Sequence, residues 1–221
     1  MFDAIAPRYD LLNHVLSAGI DRRWRTRAIQ SLSLTGRETL LDVCTGTADV
    51  ALQARGAARV VGVDFAGAML AFGRRKIRDA REDRRIRLIR GDATNLPVAD
   101  GSVDAVTVAF GIRNVERPAR ACAEMARALR RGGRLAILEF GVPRLPGIST
   151  LYLWYFKQLL PRVGRLVSGH TAAYSYLPAS VGTFPPPAAF MRVLADAGFT
   201  DVRADSLTFG IVYLYTARKV E

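Results

Sequence analysis

The stretch that decides the fold is LDVCTGTADVAL, residues 41–52. An apolar run ends in an acid, Asp42, bends through small residues around Gly46 and meets a second acid, Asp49, before a helical pattern resumes. A strand, a small-residue turn and a helix make the opening of a nucleotide-binding βα unit. This turn is badly matched to phosphate. A dinucleotide site calls for G-x-G-x-x-G, and two of its three glycines are absent; a Walker loop calls for Gly-Lys-Ser/Thr, which is missing. Asp42 and Asp49 would repel phosphate. Carboxylates at such a corner suit a ligand with cationic amino or sulfonium groups, and S-adenosylmethionine is one.

Working outward, short apolar runs at 38–44, 59–64, 85–90, 103–109 and 133–140 read as strands. Helical patterns near 48–55, 67–80 and 117–130 lie between them, which implies a mostly parallel sheet covered on both faces. Residues 1–35 read as a helical cap and 36–141 as five β/α units forming the core. Residues 142–185 read as an apolar insert around GISTLYLWYF, and 186–221 as a terminal helix and strand hairpin. In the last part Pro187 opens the helix, Gly198 caps it, and strands 201–209 and 211–218 join through Phe209 and Gly210. The expected fold class is α/β, a single Rossmann-like domain with the seven-stranded doubly wound sheet of nucleoside-binding transferases.

Two further acids sharpen the ligand. VVGVD puts Asp64 at a strand's carboxyl end, where a carboxylate accepts both hydroxyls of a ribose. RLIRGDA puts Asp92 and Ala93 at the next corner, where an acid can accept from an adenine amino group and a backbone N–H can meet the ring nitrogen. Each acid alone could equally be a turn or cap residue. Three at successive strand ends form a more specific pattern.

With 221 residues, half of them hydrophobic, the chain can bury one sizeable core. Its formal charge of +12 favours an anionic partner (nucleic acid, anionic lipid or acidic protein) or simply solubilises an arginine-rich surface. Cys44 and Cys122 lie in apolar segments without metal spacing, so both read as reduced core residues, and no metal is expected. The reading is of a cytoplasmic protein, since no secretory signal or spanning segment is visible; Lys157 interrupts the most apolar run.

The chain resembles the menaquinone/ubiquinone biosynthesis C-methyltransferases. The resemblance runs through YDLLNHVLSAGIDRRW (9–24), LDVCTGTAD, VDFAGAML (63–70), GDATNLPVADGSVDAVTVAFGIRNV (91–115), LRRGGRLAILEF (129–140) and YSYLPASVGTFP (174–185). Asp21 stands where that family usually carries histidine, Ala48 replaces a common glycine, and Glu139-Phe140-Gly141 replaces glutamate-x-serine. The resemblance implies cofactor contacts by Thr47, Asp64, Asp92 and Ala93, with Asp42 and Gly46 shaping the turn, and S-adenosylhomocysteine as product. It implies C-methylation of a prenylated quinol, for which a ring hydroxyl must lose its proton so that the neighbouring carbon becomes nucleophilic. Arg113, always charged, would stabilise that oxyanion, Asn114 would orient the quinol oxygen, and Tyr9 would close over the site. Asn13, Trp24, His170 and Tyr174 fall on the substrate side of this reading, although Trp24 also suits plain core packing.

A prenyl tail needs an apolar channel or membrane-facing surface, so the insert at 148–168 reads as a lid with peripheral contact to anionic lipid at the inner face of the plasma membrane, the alternative being a segment buried at a dimer contact. Alternatives are a benzoquinol of the ubiquinone pathway, RNA methylation, or a binding module without catalysis. No RNA-binding module accompanies the core, so nucleic acid is not the expected partner. A homodimer is compatible with the sequence.

Overall fold

The computed structural model describes residues 17, 19–143 and 180–220. Helix α1 (Ile20–Ser31) leads to β1 (Thr39–Val43), α2 (Asp49–Gln53), β2 (Arg59–Asp64), α3 (Gly67–Asp79), β3 (Ile86–Arg90) and β4 (Val103–Ala109). A 3-10 turn (Ile112–Asn114), α4 (Pro118–Ala128) and β5 (Leu129–Phe140) follow. Helix α5 (Pro187–Asp196) then precedes β6 (Phe199–Leu207), a second 3-10 turn (Thr208–Gly210) and β7 (Val212–Lys219).

The seven strands form one sheet in the order β3-β2-β1-β4-β5-β7-β6. Strands β1 to β5 run parallel, and β7 is antiparallel to both its neighbours. Alternate residues feed opposite faces. Leu41, Val43, Val106 and Ile137 pack with Met125 of α4 and Phe190 of α5. Leu40, Ala105, Ala136 and Leu138 pack with Trp24 and Ala28 of α1 and Ile77 of α3. Both faces are therefore dry, which is why β1 and β4 read as continuous apolar runs. The strand order reverses between β1 and β4, opening a crevice at their carboxyl ends.

Several boundaries differ from the sequence reading, each for a local reason. Helix α2 starts only at Asp49 because Ala48 is left-handed (φ 67), outside helical geometry. Strands β3 and β4 are joined by a loop, in the one interval of the core where the sequence reading placed no helix. Asp92, Asn95, Pro97 and Gly101 in it favour turns, and Asp92 and Asn95 close an isolated bridge. Strand β5 begins at Leu129, which pairs with Val103 ahead of a register shift, so α4 ends at Ala128. The last two strands meet through a 3-10 turn with Phe209 left-handed (φ 58).

Tyr9, Asp10, Asn13, His14, His170, Tyr174 and the apolar stretch 148–168 lie outside the described residues. Among the described residues no helix is long and apolar enough to cross a membrane.

Candidate active site

The turn after β1 is bent by three left-handed residues within five positions: Cys44 (φ 55), Gly46 (φ 57) and Ala48 (φ 67). A non-glycine residue there costs about 1 kcal/mol, so something must hold the bend. Backbone bonds from Thr45 N to Val63 O (3.0 Å) and from Ala48 N to Thr45 O (2.9 Å) do part of this. The Thr45 hydroxyl donates to Asp42 (2.6 Å), and Gly46 N–H donates to Asp64 (2.8 Å).

Asp42 is thus a brace beneath the turn. Burial pushes its carboxyl up to about 7, with the Thr45 bond opposing and the nearby Asp64 charge adding to the rise. Asp49 is also occupied: Lys76 of α3 pairs with it, and Arg25 of α1 lies at 3.5 Å while pairing with buried Asp21. The cation that the turn lacks in sequence arrives from other helices. Thr47 is buried beside the same lysine, whose Nζ donates to its hydroxyl at 3.3 Å.

Past the turn a cavity of about 360 Å³ opens between the ends of β1, β2 and β4. Gly46, Asp64, Asp92, Ala93 and Asn114 all line it, so five of the expected site residues converge. Asp42, Thr47, Arg113 and Trp24 are not in its wall. A larger, basic groove of about 930 Å³, which includes Arg27, Arg134, Arg203 and Arg218, lies at the opposite end of the sheet and takes no part in this site.

Asp64 accepts Gly46 N–H on one oxygen and Ala66 N–H on the other, both at 2.8 Å, so its carboxylate plane is fixed. Asp92 accepts Thr94 N–H (2.8 Å), and bonds from Thr94 hold its carboxyl below the usual range. Its loop is clamped from α4. Leu96 N–H donates to Glu124 (2.9 Å), while Arg127 donates to Leu96 O (3.0 Å) and Val98 O (2.9 Å). The walls are apolar: Val63, Phe65, Met69 and Phe110.

Phe65 and Met69 escaped the sequence reading. Phe65 is 72% exposed immediately after a strand-end acid, and that exposure is invisible in a sequence where it looks like one more apolar residue. The readable signal was its adjacency to Asp64.

The corner after β4 backs directly onto the turn after β1. A Cβ on Gly111 would lie 2.3 Å from the Cys44 Cβ, so only glycine fits. Cys44 is half-buried in the cavity wall, and burial plus surrounding acids push its thiol up, which disfavours the thiolate.

Two residues on, Arg113 is largely enclosed. Its Nη1 donates to Glu139 (2.6 Å) and to Phe110 O (2.7 Å), and its Nε donates to Ser180 (3.3 Å). Its guanidinium lies 5.2 Å from the Phe140 ring centre. Nη2 has no hydrogen-bond partner among the described residues. Trp24 packs edge-on against Phe110 (6.0 Å) and donates to Thr208 (2.9 Å), a core position.

The turn's own acids are neutralised, so the expected repulsion of phosphate is not what selects the ligand; a cavity whose wall carries Asp64 and Asp92, able to accept hydroxyls and an amine, fits a nucleoside. The described residues contain no cluster able to hold a metal ion. In a sheet of this strand order with an antiparallel seventh strand, such a site defines a class I S-adenosylmethionine-dependent methyltransferase.

Within that class, a family profile matches residues 1–219, and the chain belongs to the ubiE/COQ5 methyltransferase family. It is 46% identical to the ubiquinone/menaquinone biosynthesis C-methyltransferase UbiE of Geobacter sp., covering 99% of this chain and 94% of that protein. It is likewise 46% identical to the demethylmenaquinone methyltransferase of Thermus thermophilus, covering 97% and 98%.

Among solved structures the [4+2]-cyclase SpnF superposes with a TM-score of 0.75 at 18% identity, covering 100% of this chain and 94% of that one. A SAM-dependent methyltransferase from Thermotoga maritima gives 0.67 at 18% identity, covering 99% and 97%. These likenesses concern the fold alone. A cyclase on the same frame shows that the reaction must be argued from the site and the family.

Proposed function

We propose that this enzyme transfers a methyl group to a ring carbon of a prenylated quinol, with demethylmenaquinol to menaquinol as the reaction. The observation that carries this reading is near-full-length identity of 46% with relatives named for that chemistry. S-adenosylmethionine, when bound, supplies an electrophilic methyl on a sulfonium.

The chain's own residues do the rest. Asp64 accepts ribose hydroxyls, Asp92 and the backbone at Ala93 take the adenine edge, and Gly46 lets the backbone approach the ligand. Asp42 and Thr47 support the turn from behind. Asn114 at the cavity wall orients the quinol oxygen. Arg113, from the residue before it, offers Nη2 to the oxygen that loses its proton. Tyr9 closes the site from the cap, and Asn13, His170 and Tyr174 contribute to the substrate side.

The enzyme works in the cytoplasm and meets its substrate at the inner face of the plasma membrane, drawn to anionic lipid by its +12 charge. A homodimer is part of this reading. Neither nucleic acid nor a metal is.

The test is methyl transfer from labelled S-adenosylmethionine to a short-chain demethylmenaquinol, with a benzoquinol analogue and total RNA in parallel. Label in menaquinol is the expected result. Transfer to RNA alone, or to neither quinol, overturns the reading. Label in the benzoquinol as well is the second reading, which the name of the Geobacter relative favours. Co-sedimentation with anionic vesicles at low and high salt tests the membrane contact separately.

A further inference from the structure

We infer that Glu139 is a positioning residue for the methyl transfer, acting through Arg113 by fixing both the backbone and the guanidinium of that arginine. The inference rests on the proposed role of Arg113 and deepens it.

Glu139 sits near the carboxyl end of β5 with no exposed surface. One oxygen takes the Arg113 Nη1 (2.6 Å) and the Phe140 N–H (2.8 Å); the other takes the Arg113 N–H (3.1 Å). A carboxylate placed there by chance would be solvated or would bind one donor. This one binds three, two of them from a single residue on another element. The consequence is geometric. With Nη1 bound to Glu139 and Phe110 O, and Nε to Ser180, the guanidinium plane is set by the corner after β4, by β5 and by Ser180. Only Nη2 is left for a ligand among the described residues. The same bonds fix the 3-10 turn that carries Asn114 into the cavity wall.

Electrostatics adds a second consequence. The pair is close to neutral as seen from the cavity, so Glu139 attenuates the field that Arg113 presents to a quinol oxygen. Removing the carboxylate's charge while keeping its shape should loosen the arginine and at the same time strengthen its attraction for an oxyanion. These two effects move different observables.

The experiment compares wild type, E139Q and E139D in three measurements: cofactor affinity, the pH dependence of kcat on demethylmenaquinol, and the ¹⁵N resonances of the Arg113 side chain. For E139Q the expected result is unchanged cofactor affinity and a plateau kcat lowered about 10-fold or more. Its ascending pH limb moves to lower pH, and the slow Nη exchange of a locked guanidinium is lost. E139D, which keeps the charge, keeps the limb where it was. Wild-type kcat in E139Q, an unmoved limb, or unchanged Arg113 resonances would each overturn the positioning role. The resonances need no substrate. If they collapse in E139Q while wild type methylates no quinol, the quinol reading fails and the role of Glu139 in fixing Arg113 stands.

Discussion

Lys76 on α3 pairs with Asp49 at the start of α2, and so gives the turn after β1 the positive charge its own sequence lacks. Arg25 approaches the same carboxylate from α1 and also neutralises buried Asp21. Three helices thus meet on one acid that lies outside the wall of the cavity of about 360 Å³.

The two cations should differ sharply in weight. Lys76 is partly exposed, and K76M should cost about 1 kcal/mol or less. Arg25 is buried, and R25L removes the cation that pairs with buried Asp21, which should cost about 3 kcal/mol or more. Urea unfolding of both variants checks the order, and equal losses would contradict it.

Asp64 holds Gly46 and Ala66 while facing the cavity. D64A removes a charged acceptor and frees two N–H groups, so the dissociation constant for S-adenosylmethionine should rise about 10- to 100-fold. D64N keeps one acceptor oxygen and should lose less. Calorimetry that finds wild-type affinity in D64A would remove Asp64 from the cofactor site.

Gly111 and Cys44 should be coupled. G111A drives a methyl to 2.3 Å from the Cys44 Cβ and should destabilise severely, by about 3 kcal/mol or more. C44A leaves that Cβ in place and cannot rescue it. C44G removes it, and also suits the left-handed backbone at 44, so C44G/G111A should be more stable than G111A alone. A double-mutant cycle with no interaction energy would refute the contact.

Asp42 makes stability depend on pH in an unusual direction. Its folded carboxyl, at about 7, lies above the ordinary value of 3.8, so between those limits the folded chain holds a proton that the unfolded chain releases. Stability from this group is therefore greatest below pH 4 and falls as pH rises towards 7, with a limiting slope of about 1.4 kcal/mol per pH unit. D42N keeps an acceptor for Thr45 and has no such slope. Denaturant curves from pH 5 to 8 should show D42N gaining on wild type up to about pH 7 and levelling above it; a constant difference would mean that Asp42 is ionised throughout.

Much of this was legible because strand ends and strand interiors obey local rules. Asp64 and Asp92 could be placed at the crevice because each follows a short apolar run, and the continuous apolar run through Leu40 and Leu41 marks a strand buried on both faces without knowledge of its neighbours. What could not be read depends on which elements meet. Asp49 looked available to a cationic ligand until α1 and α3 brought Arg25 and Lys76 to it. Arg113 reads as a charge for an oxyanion with no partner named, and only the register of β4 on β5 shows Glu139 beside it. Nor does sequence distance suggest that Ser180, 67 residues away, completes its surroundings.

Strand β7 lies between β5 and β6 and, among the described residues, is the only strand paired with β6. A ribosome therefore delivers the sheet out of spatial order. Until residues 212–219 are translated, the outer edge of β5 and both edges of β6 stay open to other chains. The nascent protein has its ligand crevice built well before its sheet can close, and chaperone protection should matter most in that interval.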